Sequence, residues 1–151
     1  GIAETSARAI VSEIGIDMQR FGSANRLCAW AGVAPGNHQS GGKRLSGKTL
    51  HGNRALMRIL AEVGCAAARQ KGTYLSALYG RIAHRRGKRK AIVALANSIL
   101  RAIYYMLTNG THYQDLGPLH FDKLNKDKLV KRLTGRLKEL GYHVAPREAV
   151  D

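Results

Sequence analysis

Ser40-Gly41-Gly42-Lys43-Arg44 is the stretch of this sequence best equipped for chemistry. A hydroxyl stands beside two residues that lack side chains, so backbone and ligand can approach closely there. Successive amides in such a turn can cradle an anion, and Lys43 and Arg44 bring positive charge to the same place. A phosphate-binding loop has this make-up. So does a nucleophile loop for phosphoryl transfer, in which Ser40 attacks a phosphodiester and the amides hold the developing charge. The stretch is not a Walker A loop, because the four-residue spacer and the Gly-Lys-Ser/Thr ending are absent. The plain alternative is a flexible basic surface loop. Ser46 precedes Gly47 in the same loop, with Lys48 after it. It stands nearer the next helix start, where capping is a sufficient role.

The neighbours of Ser40 limit how it could react. A serine hydroxyl needs a base, or a metal held by carboxylates, to become a nucleophile. Between Asp17 and Glu62 there is no acidic residue, and the neutral titratable groups close by are His38 and His51. If Ser40 is catalytic, its carboxylates and metal come from another domain or subunit. The pattern therefore predicts a composite active site or none, and no cofactor within this chain.

Charge points the same way. The 151 residues carry a formal net charge of +15. Residues 1–35 are balanced, whereas residues 36–101 hold fourteen basic residues against Glu62 alone. A surface that is merely soluble mixes both signs. A surplus packed into one stretch asks for a polyanion, and nucleic acid is the first candidate. An anionic membrane surface fits less well, because the cations come with glycines and loops rather than along one amphipathic helix. A second basic run, Arg81 to Lys90, contains Arg81, Arg85, Arg86, Lys88, Arg89 and Lys90. Lys88, Arg89 and Lys90 fall at a helix start, where the macrodipole disfavours cations unless phosphates neutralise them.

The elements that must hold these residues read as helices separated by glycine stops. Residues 5–14 form a short helix ended by Gly15. Ser23 caps a second, with Leu27, Cys28 and Trp30, ended by Gly32. Residues 33–50 lack helical periodicity and read as a long Gly-rich basic loop, a length that is usually functional. A third helix starts near Asn53; Leu56, Ile59, Leu60, Val63 and Ala67 make its stripe, with Arg54 and Arg58 off it. Thr73 opens a fourth, with Leu75, Leu78, Tyr79 and Ile82 inward. After Gly87 a fifth helix runs to about Thr108, and its apolar content from Ile92 to Leu107 makes it the buried centre. Residues 111–124 read as irregular. Asn125 caps a last helix whose Val130, Leu133, Leu137 and Leu140 form a narrow seam suited to a partner helix. The expectation is an all-α fold of about six helices, with a DNA-binding domain over 1–124 and an interaction element over 125–151.

The ends and the thiols complete the reading. The opening Gly-Ile turn into a helix resembles the second half of a helix-hairpin-helix, which holds a DNA phosphate without reading sequence. The sequence begins with Gly1 rather than Met and reads as a piece of something longer. No apolar run reaches the ~18 residues of a membrane span, and no signal peptide is visible. Cys28 and Cys65 sit among apolar or small residues and read as buried thiols, which fits a reducing cytoplasm.

In order, these pieces resemble a known family. They are a Gly-Ile helix with Glu-Ile-Gly, Phe21-Gly-Ser-Ala, and Leu27-Cys-Ala-Trp-Ala-Gly-Val-Ala-Pro-Gly. Then come Ser40-Gly-Gly-Lys, Ser46-Gly, Gly52-Asn-Arg-Ala-Leu-Met-Arg, Lys71-Gly-Thr-Tyr and Arg85-Arg-Gly-Lys. Their order and spacing are similar to the C-terminal domain of the DEDD-type, bridge-RNA-guided insertion-sequence transposases, kin to pilin-gene invertases. The resemblance implies a catalytic serine at Ser40 that becomes linked to the cut DNA strand. It implies an N-terminal RuvC-like domain whose four acidic residues bind magnesium, and partners in DNA, a guide RNA and further copies of the protein at the nucleoid. The backbone-binding candidates are Gly41, Gly42, Lys43, Arg44, Lys48, Arg54, Arg58 and the Arg81–Lys90 cations. No RuvC-like domain stands in this sequence, so the chain alone is expected to be inactive in strand exchange.

Overall fold

The computed structural model of the chain describes residues 2–36, 38–46, 49 and 51–145, and only the backbone of His38, Gln39, Arg44, Leu45 and Ser46. The fold is all-α apart from one small hairpin. It divides into a larger unit, residues 1–118, and a smaller one, residues 119–151. Residues read as irregular include a short helix, α6 (His120–Leu124), which packs with α7 (Lys126–Glu139). Asn125 makes no side-chain cap there, contrary to expectation.

In the larger unit, polar caps start the helices. The Ser23 hydroxyl accepts from the Arg26 amide to open α2 (Ala24–Trp30), and the Asn53 side chain accepts from the Leu56 amide to open α3 (Arg54–Arg69). Thr73 and Ser76 form a reciprocal capping box at the start of α4 (Tyr74–Arg86). The first helix, α1 (Glu4–Ile14), stops at Gly15, and a 3₁₀ turn over Gln19–Phe21 leads into α2. The longest helix, α5 (Lys88–Asn109), stops at Gly110 in the left-handed region.

The core gathers Ile10 and Ile14 of α1, Leu27 and Cys28 of α2, Leu56, Leu60 and Val63 of α3, and Leu95, Ala96, Ile99 and Leu100 of α5. α5 packs against α2, α3 and α4, which makes it the centre the apolar pattern called for. Leu100 and Tyr104 are buried as well, while Ile92, Ile103 and Leu107 are half-buried. α4 carries its apolar stripe half-buried and acts as a cover. By length and composition α5 could cross a membrane. A search for unbroken apolar runs misses it, because Asn97, Ser98 and Arg101 interrupt the pattern. With Leu95 and Leu100 fully buried beside α2 and α3, it is the core helix of a folded unit.

Both cysteines are free, Cys28 buried and Cys65 half-buried. Burial pushes the Cys28 thiol up to about 11, with the Arg101 guanidinium pulling the other way. A thiol held protonated this firmly is inert packing rather than a nucleophile.

Candidate nucleic-acid interface

The segment between α2 and α3, expected as an unstructured loop, contains an antiparallel hairpin of β1 (His38–Ser40) and β2 (Lys43–Ser46). Its strands are too short and too polar to show alternation, and the turn rather than the strands specifies it. Gly41 has φ 56° and Gly42 φ 76°. Positive φ at both central residues is what a two-residue type I′ hairpin turn demands, and only glycine adopts it without strain. A Cβ on either glycine would meet nothing within 4 Å. The glycines are thus required by dihedral angle, and the space around them leaves the turn accessible.

Ser40 and Lys43 are cross-strand partners flanking this turn, and both are exposed. Paired residues project from one face of a hairpin, so the Ser40 hydroxyl and the Lys43 ammonium share a face at its tip. Arg44 pairs with Gln39 in the next rung; the ladder then skips Leu45 and pairs His38 with Ser46. The two serines are thereby separated, Ser40 at the tip and Ser46 at the base. Lys48 lies outside the described residues.

Backbone contact joins the two helices on either side of the segment that carries the hairpin. The Asn53 amide donates to the Trp30 carbonyl at 3.3 Å, joining the start of α3 to the end of α2. Gly52 sits so close to Ala31 and Gly32 that a side chain could not be accommodated. The Asn53 side-chain amide donates to Glu13 Oε2 of α1 at 2.7 Å. Beyond this neck, Arg54 and Arg58 are exposed on the first turns of α3, and Arg58 lies 3.8 Å from Glu62 in an exposed pair of little energetic weight.

The second basic group forms the tip of a helical hairpin. α4 ends in Arg85 and Arg86, Gly87 reverses the chain at φ 86°, and α5 begins at Lys88 and packs back along α4. Arg85, Arg86, Lys88, Arg89 and Lys90 are all exposed, and among the described residues no carboxylate pairs with any of them. Arg81 is exposed one turn earlier on α4. The start of α5 has neither a side-chain cap nor an acidic residue in its first turn. Three cations at the positive end of a helix dipole cost stability, and phosphate oxygens would relieve that cost.

The N-terminus carries less of this chemistry. Gly1 lies outside the described residues, and α1 begins at Glu4 without a side-chain cap at Ala3. The Glu4 carboxylate, paired with Arg8 at 2.5 Å, already supplies the negative charge that a DNA phosphate would bring to that helix end. Among the described residues, no three His, Cys, Asp or Glu side chains come together as a metal ion would require.

Comparison with known proteins places these features. The model of the Transposase IS116/IS110/IS902 family matches residues 1–81. The chain belongs to that family. The match runs from α1 through the Ser40 hairpin and α3 into α4, and ends before the basic tip of α4 and α5. The chain is 29% identical over 126 residues to a Pseudomonas aeruginosa protein named "Probable family 20 transposase", covering 76% of this chain and 35% of that protein. It is 31% identical over 122 residues to the transposase for insertion sequence element IS1111A of Coxiella burnetii, covering 76% of this chain and 32% of that one. The chain spans about a third of the length of these relatives. No solved structure matches it.

The sequence pattern gives no sign of the Glu13–Asn53 contact. Asn53 is legible as a helix cap, but its partner lies forty residues away. No local pattern reports such a pair.

Proposed function

We propose that this chain is the serine-bearing part of a longer DNA transposase, with Ser40 as the strand-cleaving nucleophile. The observation that carries the proposal is the placement of Ser40. It is exposed at the tip of a type I′ hairpin, next to the amides of Gly41 and Gly42 and on the same face as Lys43. Cleavage forms a bond from Ser40 Oγ to a DNA phosphorus and breaks the bond to the leaving strand, whose oxygen takes up a proton. Lys43 balances the charge on the phosphorane, and the turn amides supply donors to it. The resemblance assigns the four carboxylates and their magnesium to a RuvC-like domain outside this chain. It also assigns a guide RNA and further protein copies as partners, acting in the cytoplasm at the nucleoid. The cations of α3 and of the α4–α5 tip hold the nucleic-acid backbone without reading sequence.

The test is a covalent DNA–protein adduct in the full-length protein. Ser40→Ala should abolish the adduct and recombination while leaving DNA binding nearly intact. Ser46→Ala, at the base of the hairpin, should be much milder. An adduct that survives Ser40→Ala would show that the serine is not the nucleophile and would leave a nucleic-acid-binding module as the function.

A further inference from the structure

We propose that Asn53 is a positioning residue for the Ser40 hairpin, and that Glu13 fixes it. The inference rests on Ser40 as nucleophile and names what aims it. Three helices meet at Asn53. Its backbone amide donates to Trp30 at the end of α2 at 3.3 Å, its side-chain oxygen caps α3 through the Leu56 amide at 3.0 Å, and its side-chain amide donates to Glu13 of α1 at 2.7 Å. Residues 33–51, hairpin included, leave and rejoin the helices at this neck. The neck has no slack, because the backbones of Gly32 and Gly52 are in contact.

The residue type at position 53 separates positioning from capping. Asp caps a helix as well as Asn does, so the cap alone does not select an amide. What Asn adds is a donor, and the Glu13 carboxylate uses it. Asp at that position would set two carboxylates against each other at hydrogen-bond distance. Glu13 is half-buried on the helix that opens the chain. The hydrogen bond therefore couples the direction of α1 to the root of the hairpin. A shift of about 1 Å at a reacting group can cost about 100-fold in rate. A hairpin aimed from a single neck is sensitive to that neck.

The experiment uses the full-length transposase at saturating DNA with its guide RNA. It compares wild type, Asn53→Asp, Glu13→Ala, and Glu13→Lys combined with Asn53→Asp. Two readouts are taken: the rate of covalent adduct formation, and hydrogen exchange of the 36–50 peptide by mass spectrometry. Asn53→Asp and Glu13→Ala should slow the adduct about 10- to 100-fold with DNA affinity unchanged, and should speed exchange in the hairpin. The double variant, in which the introduced ammonium donates to the introduced carboxylate, should restore both. Rescue by this swap is a result that loss of a helix cap could not produce. Wild-type adduct rate and exchange in Asn53→Asp would overturn the proposal, as would a folded double variant that recovers neither readout. If Ser40→Ala still forms the adduct, the nucleophile reading fails, and hydrogen exchange alone then decides whether Asn53 orders the hairpin.

Discussion

A Cβ placed on Gly52 would stand 2.2 Å from the backbone nitrogen of Gly32 and 2.4 Å from the carbonyl carbon of Ala31. These two glycines bring the end of α2 against the start of α3, on either side of the segment that carries Ser40, and Gly52 is there for lack of volume. Gly41, at the tip, is there for its positive φ, with open space around it.

That contrast gives the first prediction. Gly52→Ala must push the α2 and α3 backbones apart, at about 1–3 kcal/mol by the measure of overpacked sites. The melting temperature should fall about 2–4 °C for each kcal/mol. Gly41→Ala incurs a left-handed strain of about 1–2 kcal/mol confined to the turn. It should disorder the hairpin tip while leaving the core melt almost unchanged. Thermal melts followed by circular dichroism distinguish the two, and equal shifts would show that the neck is not tight.

Much of this fold could be read from residues in sequence. Ser23, Asn53 and Thr73 are strong caps and open helices, and Gly15, Gly87 and Gly110 mark turns where positive φ was needed. The helix stripes of α3 and α5 found the core. The hairpin was harder to see, because a Gly-Gly pair serves a ligand loop and a type I′ turn equally well. The short helix α6 escaped for a related reason, since five residues make too few turns to show a period. The Glu13–Asn53 bond had no local signal at all. Tertiary contacts between polar residues leave no periodicity behind.

The centre of the core is open to a direct check. Leu95 is fully buried and Ile99 is 3% exposed, whereas Tyr105 on the same helix is 49% exposed. Leu95→Ala or Ile99→Ala should cost about 2–5 kcal/mol, and Tyr105→Ala far less. Urea unfolding of the three variants would reveal the order. Equal midpoints would mean that α5 does not sit where the core is.

A pH response is expected where residues 111–118 are fastened to α4. Asp115 Oδ1 accepts from the Tyr74 amide at 3.0 Å and from the Gly117 amide at 2.7 Å, and Tyr113 donates to Oδ2 at 3.2 Å. The slight desolvation of this exposed carboxyl would raise its pKa, but these donors outweigh it and hold the group below its ordinary range. A depressed carboxylate contributes stability above its unfolded pKa and loses it as pH falls through the folded value. The clip should therefore be intact at neutral pH and weaken progressively as pH falls below the ordinary carboxylate range. Burial, with the Asp115 charge and hydrogen bond after it, pushes the Tyr113 hydroxyl up to about 12, so it remains a donor throughout. Protection of the Tyr74 amide from exchange should fall on acidification in wild type and be low at every pH in Asp115→Ala. Protection that is independent of pH in wild type would rule the clip out.

The tip of α4 and α5 allows binding and stability to be pulled in opposite directions. Lys88, Arg89 and Lys90 stand at a helix N-terminus, where cations are unfavourable by about 0.3–1 kcal/mol each. Arg85 and Arg86 stand in the last turn of α4, where that helix's own dipole favours them. Changing the first three to Ala should therefore raise the melting temperature of the free protein, and changing the other two should lower it. Both sets should weaken DNA binding, and the slope of log affinity against log salt should become shallower by about 0.9 for every phosphate no longer neutralised. A charge run that is merely solvated would shift stability in the same directions but leave the slope alone. The decisive measurement is a salt titration of DNA affinity, for each variant, between about 50 and 200 mM. Stabilisation together with a shallower slope in the Lys88, Arg89 and Lys90 variant would identify these cations as kept for nucleic acid at a cost to the fold. An unchanged slope in both variants would remove the α4–α5 tip from the interface and leave the hairpin and α3 to hold the DNA.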